Sequence, residues 1–386
     1  MITPNQLGQL FVGMDVHPDN HAAVAVNCFG KKFLETELAN DYQAFAGLVK
    51  AVRQTAREQK LSAVFGLEDT EGNGNFLARH LLASGFAVKS VNPVLVKRQR
   101  TYETHPEKSD LQDAFGVAKV LIERIDSLPS FSITETTEAA KDLHTLTCER
   151  DSLVKEQIRL KNQLHQALRQ TYGSEYRSVF KDVFSKKALK FWQEFPAAQA
   201  LSASRKRGAK KPAWLEKTPA EFLPTASETQ QRHISRKAQR LLSIREELLQ
   251  IETELENLIA TTGQQLHTMR GCGTVLSAVV LSEVKDIERF KTSSALAKYA
   301  GIAPKKSESG KTKRDRKSYS GNRRLNKAIY QIALTQISNQ GLEKAKTYFA
   351  KKVQEGKTKK HALTCLMRQL TDIIWSMLKY KRAYYP

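Results

Sequence analysis

Cysteine is scarce in this chain. Its four cysteines, Cys28, Cys148, Cys272 and Cys365, lie far apart among 386 residues, and none forms a CxxC pair. That spacing excludes a thiolate zinc site and a disulfide framework, and it fits reduced, structural thiols in a cytoplasmic protein. Long apolar runs are missing as well: no stretch of roughly 18 apolar residues occurs, so no transmembrane helix and no membrane partner are expected. Met1 to Leu10 has neither the charged start nor the apolar core of a signal peptide. Negative charge is the third shortage. Against 62 Lys and Arg stand 40 Asp and Glu, a formal net charge of +22. Such an excess points to a polyanionic partner, usually nucleic acid. The length suffices for two or three domains with sizeable cores.

With acids in deficit, their grouping carries information. Asp110 and Asp113 sit three apart at the head of a segment in which Phe115, Val117, Ala118, Leu121 and Ile122 continue a helical apolar face. On a helix that spacing puts both carboxylates on one side, one turn apart, where like charges repel by roughly a few tenths of a kcal/mol. An acidic helix start favoured by the helix dipole is one account of the pair, and a bound cation is the other. Upstream, the apolar runs Leu10–Asp15 and Ala63–Glu68 read as buried strands, each ending in an acid. Ala22–Asn27, Lys32–Leu38 and Phe86–Val91 read as further strands, and Asp41–Gln59 and Phe76–Ala83 as helices. Three strands, helix, strand, helix, strand, helix describe a mixed sheet with helices on its faces. Strand C-terminal ends are where open α/β sheets place their sites. Any single acid there is ordinarily a solvated loop end. Four together (Asp15, Glu68, Asp110 and Asp113) suit hard divalent ions such as Mg²⁺ or Mn²⁺. Two such ions clamp the attacking and leaving oxygens of a phosphodiester. Sugar kinases and actin-like ATPases also open with an Asp at the end of a first strand, but they need a glycine-rich phosphate turn. Here Val16-His17-Pro18 follows, and proline has no N–H to offer. His17 and His105 flank the acids and read as polar loop residues, while 94–105 is a basic stretch.

Asp15 in GMDVH, Glu68 in GLEDT and the stretch KSDLQDA resemble the N-terminal RuvC-like DEDD domain of a bacterial insertion-sequence transposase family. The resemblance runs over nearly the whole chain. It implies an α/β RNase H-like (RuvC-like) mixed-sheet domain at 8–130, a helical coiled-coil spacer with a basic insertion at 131–262, and a mostly α-helical serine transposase domain at 263–386. Members of that family cut and rejoin DNA, and characterised ones are guided by a bridge RNA. A homodimer assembling to a homotetramer is implied for strand exchange between donor and target DNA.

The second half supplies the remaining motifs. Leu146, Leu153 and Leu160 recur every seven residues, with Leu143 and Leu164 on the neighbouring seam. Leu241, Ile244, Leu248, Ile251, Leu255 and Leu258 alternate spacings of three and four, a heptad pattern that predicts a pair of long packed helices. Between them the basic segment 204–212 reads as an exposed loop. Gly271-Cys272-Gly273 before an apolar run resembles the hairpin of a helix–hairpin–helix element, whose backbone N–H groups bind phosphate without reading sequence. From Lys305 to Lys327 ten basic residues stand against Glu308 and Asp315; Lys305, Lys306, Lys311, Lys313, Arg314, Arg316, Lys317, Arg323 and Arg324 are the candidate contacts to a DNA or RNA backbone. In the resembling family a serine followed by glycine, shortly after a GIAP block, is the nucleophile. Ser309 with Gly310 fits that description, Ser307 is the runner-up, and Ser318 and Ser320 are further off. Two other functions stay open: a RuvC-like structure-specific endonuclease, which needs the carboxylates but no serine, and a non-catalytic nucleic-acid-binding protein.

Overall fold

Strand β1 (Gln9–Val16) follows a short helix α1 (Pro4–Leu7) and is buried from Leu10 onward, so it needs cover on both faces. The computed structural model describes residues 4–70, 72–100, 109–133, 135–204, 211–303, 305–309, 312–316 and 321–385, with 305–309 and 312–316 as backbone. The chain divides into two compact units, Met1–Thr137 and Glu138–Pro386.

In the first unit β1 is flanked by β2 (Asn20–Val26) and, across it, β4 (Ser62–Leu67). The outer strands are β3 (Lys32–Ala39) and β5 (Ala87–Ser90), giving a five-stranded sheet of order β3-β2-β1-β4-β5. The β1–β2 and β2–β3 pairs are antiparallel, whereas β1–β4 and β4–β5 are parallel. A mixed sheet follows: a meander needs only tight turns, and the parallel strands need the crossover helices α2 (Tyr42–Gln59) and α3 (Asn75–Ala83). Strand alternation sorts β1. Leu10, Val12, Met14 and Val16 pack with Phe45, Leu48, Val52, Leu77 and Leu81 of α2 and α3. Phe11 faces the opposite core, with Val117, Ala118 and Leu121 of α5 (Asp110–Arg124) and Val96 of α4 (Pro93–Arg100). The strands and helices expected from the sequence are present, with boundaries moved by a residue or two. Helix α4 is additional, lying in the basic stretch that showed no helical period. His105 lies outside the described residues.

The second unit is mostly helical. Its long helices are α6 (Glu135–Tyr172) and α11 (Glu228–Thr262). Between them lie α7 (Tyr176–Val179), α8 (Lys186–Glu194), α9 (Ala198–Ala203) and α10 (Ala213–Lys217). Of the basic segment 204–212, residues 205–210 lie outside the described residues. Helix α11 begins with a reciprocal cap between Ser227 and Gln230 and ends at Gly263 in a left-handed conformation. Arg150 pairs with Glu252, Glu156 with Arg240, and Gln163 with Lys237, so numbers rise on α6 as they fall on α11 and the two run antiparallel. Ile244, Ile251 and Leu255 of the expected seam are buried, and Leu248 and Leu258 partly so. After α11 come α12 (Thr274–Val284), α13 (Ser293–Tyr299), α14 (Arg323–Ile337), α15 (Glu343–Gln354) and α16 (Lys359–Tyr380). One continuous core joins residues from Leu143 on α6 to Leu378 on α16. Between α13 and α14 an antiparallel ribbon, β6 (Lys305–Ser309) with β7 (Thr312–Arg316), stands where the sequence showed only a basic segment. Among the described residues no helix is long and apolar enough to cross a membrane.

Candidate active site

The carboxylates meet because a glycine lets a helix approach the sheet. Gly13 belongs to the same face of β1 as Phe11 and Asp15, and a Cβ there would collide with the Ala114 carbonyl and stand 2.9 Å from the Ala118 Cβ. Helix α5 therefore crosses β1 at Gly13, with its first turn beside Asp15. Ser109 caps that turn, its hydroxyl accepting the Gln112 N–H at 3.2 Å, and Asp110 and Asp113 follow. Met14 pairs with Leu67 in the parallel register, so Glu68 leaves the sheet next to Asp15 on the neighbouring strand. Beyond Glu68, Asp69 holds the loop by accepting the Gly72 and Asn73 N–H groups at 2.7 and 3.0 Å.

Asp15 is buried, at 6% exposure, while Asp110 is exposed and Glu68 and Asp113 are half-buried. Burial raises the Asp15 pKa above the usual carboxylate value; His17 opposes that rise, and the charges of Asp113 and Asp110 add to it. His17 is the residue that sequence reasoning passed over. Its Nε2 is 3.1 Å from Asp15 Oδ2 and 3.6 Å from Asp110 Oδ1. The β1–β2 turn aims it there: its N–H lies 3.2 Å from the Asn20 carbonyl and 3.3 Å from Nδ1 of the buried His21. The signal was the spacing Asp15-x-His17, which puts both residues on one face of an extended chain. Asp15, His17 and Asp110 offer ligand atoms within 4.8 Å of one another. Asp110 and Asp113 acting on the buried Asp15, beside the His17 imidazole, make an anionic, oxygen-rich cluster, the donor set of a hard divalent cation.

The second unit places the other predicted residues in several settings. Ser309 closes β6 opposite Thr312, and Ser307 lies two positions back opposite Arg314. Lys305, Lys306, Lys313, Arg314 and Arg316 occupy the same ribbon, described by its backbone. Gly310, Lys311, Lys317, Ser318 and Ser320 lie outside the described residues. Gly271 has φ +84°, and a Cβ on it would stand 2.9 Å from Thr335 Cβ, so its lack of a side chain serves packing against α14. Gly273 is the N-cap of α12, with open space at its Cβ position, and a single 3₁₀ turn (Leu266–Thr268) precedes it. Arg323 and Arg324 open α14, but the Arg324 guanidinium is engaged within the protein by Glu283 at 2.9 Å and Thr147 at 3.0 Å. Arg324 was read from the sequence as a nucleic-acid contact, whereas Glu283 itself carried no signal there.

Residues 12–173 match the DEDD transposase family model, and residues 263–350 match the transposase IS116/IS110/IS902 family model. The two matches together cover more than half of the chain. A 44.8 kDa protein of insertion element IS116 from Streptomyces clavuligerus is 28% identical, covering 98% of this chain and 96% of its own length. The transposase of insertion sequence element IS1328 from Yersinia enterocolitica is 26% identical, over 81% and 82%. A pilin gene-inverting protein of Moraxella bovis is 29% identical over 36% of this chain and 45% of its own. A DEDD-type transposase domain implies a DNA substrate and the use of divalent metal, and the acidic cluster at the end of β1 fits the metal. The chain belongs to the IS110/IS116 family of transposases.

Proposed function

We propose that this transposase is an RNA-guided, site-specific recombinase that cuts and rejoins DNA with Asp15, Glu68, Asp110, Asp113 and Ser309. The observation that carries the reading is the convergence of Asp15, His17 and Asp110 at the end of β1, with Asp113 acting on the same buried carboxylate. Asp15, Glu68, Asp110 and Asp113 hold Mg²⁺ or Mn²⁺, and His17 adds an imidazole nitrogen beside them. When bound, the ion supplies positive charge against the phosphate and favours deprotonation of an attacking oxygen.

The Ser309 hydroxyl attacks phosphorus. A P–O bond to serine forms, one bridging P–O bond of the DNA breaks, and the released strand end takes a proton as a free hydroxyl. Attack by a second strand's hydroxyl on the phosphoserine reverses the exchange, so rejoining needs no separate energy source. A relative over part of the chain is a pilin gene-inverting protein, which agrees with a rearrangement of DNA. Gly271, Gly273 and the basic residues from Lys305 to Arg323 contact nucleic-acid backbone, whereas the Arg324 guanidinium is held by Glu283 and Thr147. A net charge of +22 supports such contacts more readily than base readout, and base pairing with a bridge RNA supplies the sequence. A RuvC-like domain at 8–130, a coiled-coil spacer at 131–262 and a serine domain at 263–386 divide these tasks within a cytoplasmic homodimer that assembles to a tetramer.

Two measurements test the reading. Parent protein mixed with nicked donor DNA and Mn²⁺ forms a covalent protein–DNA adduct, and Ser309→Ala does not; an adduct that persists moves the nucleophile to Ser307 or beyond. Mn²⁺ raises the melting temperature of the parent, by about 2.7 kcal/mol of stabilisation at a hundred times Kd. Asp15→Asn abolishes that rise if the carboxylates hold the ion, and an undiminished rise removes Asp15 from the ligand set.

A further inference from the structure

Glu283, at the C-terminal end of α12, is 7% exposed and is the hub of a polar cluster that takes in Asn322 and Arg324. Its Oε2 accepts a hydrogen bond from Asn322 Nδ2 at 2.6 Å, and its Oε1 accepts one from Arg324 at 2.9 Å. Asn322 also donates its backbone N–H to the Tyr299 carbonyl at 2.7 Å and its side-chain amide to the Tyr299 hydroxyl at 3.2 Å. That hydroxyl lies 3.3 Å from the Glu283 carbonyl, to which it donates. Gly321, at φ +114°, comes so close to Gly301 that a Cβ on it would stand 2.6 Å from the Gly301 nitrogen. Asn326 donates to the Ala300 carbonyl at 2.8 Å.

Tyr299 to Gly301 and Gly321 to Asn326 are the two ends of the segment that carries β6, β7 and Ser309. Their contacts draw both ends together over one buried carboxylate. Arg324 extends the tie to α6, reaching Thr147 at 3.0 Å, His144 Nδ1 at 3.0 Å and Asp151 at 3.5 Å. Stability alone gives no reason to bury a charge at a loop base, because an apolar group of similar volume is often as stable there. Orientation gives one, since a two-oxygen acceptor fixes two donors in direction.

We propose that Glu283 is a positioning residue for strand transfer: its carboxylate clamps both ends of the serine-bearing ribbon and, through Arg324, holds them to α6. The inference rests on Ser309 as the nucleophile. Glu283→Gln keeps the shape but leaves one accepting oxygen for two donors, so either Arg324 or Asn322 loses its partner. Asn322→Ser is the second variant. Serine still caps α14, the role in which Asn322 Oδ1 accepts the Leu325 N–H at 2.9 Å, but its short hydroxyl does not reach Glu283.

The full-length variants are compared with the parent by amide hydrogen exchange, DNA binding and the rate of adduct formation. Losing one hydrogen bond to a charged group corresponds to about a tenfold change or more. Exchange in 305–316 and the adduct rate are both expected to change by about that factor, with DNA affinity and the exchange of α12 and α14 unchanged. Adduct formation at the parental rate in both variants overturns the clamp. Faster exchange across the whole second unit, with the ribbon no more affected than the core, shows a merely structural role and also overturns it. An adduct in Ser309→Ala removes the serine assignment instead, and the exchange comparison then still decides whether Glu283 holds the ribbon.

Discussion

Gly13 of β1 lies against Ala114 of α5 with no room for a side chain between them, since a Cβ on Gly13 would collide with the Ala114 carbonyl oxygen. That approach sets the height at which α5 crosses the sheet, and so it sets Asp110 and Asp113 beside Asp15. Gly13→Ala is expected to destabilise the first unit by about 3 kcal/mol, the upper end for overpacking, because backbone rather than a flexible side chain must yield. Gly47 on α2 has open space around its Cβ position, and Gly47→Ala there should stabilise by up to about 1 kcal/mol. Urea unfolding of both variants measures the contrast. Equal stabilities for Gly13→Ala and the parent would show that α5 is free to slide.

Burial, reinforced by Asp113 and Asp110, raises the Asp15 pKa in the folded chain above its unfolded value. The sign follows from proton binding. The native state holds this proton more tightly, so the group's contribution to stability is full below the unfolded pKa and is lost as pH rises through the folded pKa. Asp15→Asn removes that loss. In metal-free buffer the variant should be more stable than the parent at pH 7, with the difference closing as the pH falls below about 4. Paired thermal melts across pH 3–8 test this, and a difference that does not vary with pH contradicts it.

Leu255 is fully buried on α11, whereas Glu252, one turn away, is 38% exposed in its pair with Arg150. Leu255→Ala should cost about 2–5 kcal/mol. Glu252→Gln should cost under about 1 kcal/mol, because solvent screens the pair. Denaturant midpoints separate the two. A larger loss for Glu252→Gln would mean that ion pairs, rather than the apolar seam, hold the antiparallel helices.

What was legible in the sequence was whatever repeats at a short period. Leu10, Val12, Met14 and Val16 alternate with Phe11, Gly13 and Asp15, so the central strand and the end at which its acid sits could be read directly. Asp110 and Asp113, three apart before an apolar helix, could be read in the same way. Helix α4 escaped because Lys97, Arg98 and Arg100 break up its apolar pattern. The ribbon of β6 and β7 escaped because Lys, Arg, Ser and Thr fill both strands, leaving no alternation of apolar and polar residues to see.

The sequence by itself determined a mixed α/β unit ahead of a mostly helical one, the acids at strand ends and a strongly basic balance, since local spacing and composition encode these. Only the tertiary structure decided which partners meet. His17 reaches Asp15 and Asp110 because the β1–β2 turn folds it back and Gly13 lets α5 come close. Glu283 meets Asn322 and Arg324 because α12 ends where the serine-bearing ribbon begins and returns. Those pairings join residues 39 positions apart for Glu283 with Asn322 and 93 apart for His17 with Asp110. No local period spans such distances, so the contacts arise only when packing closes the chain on itself.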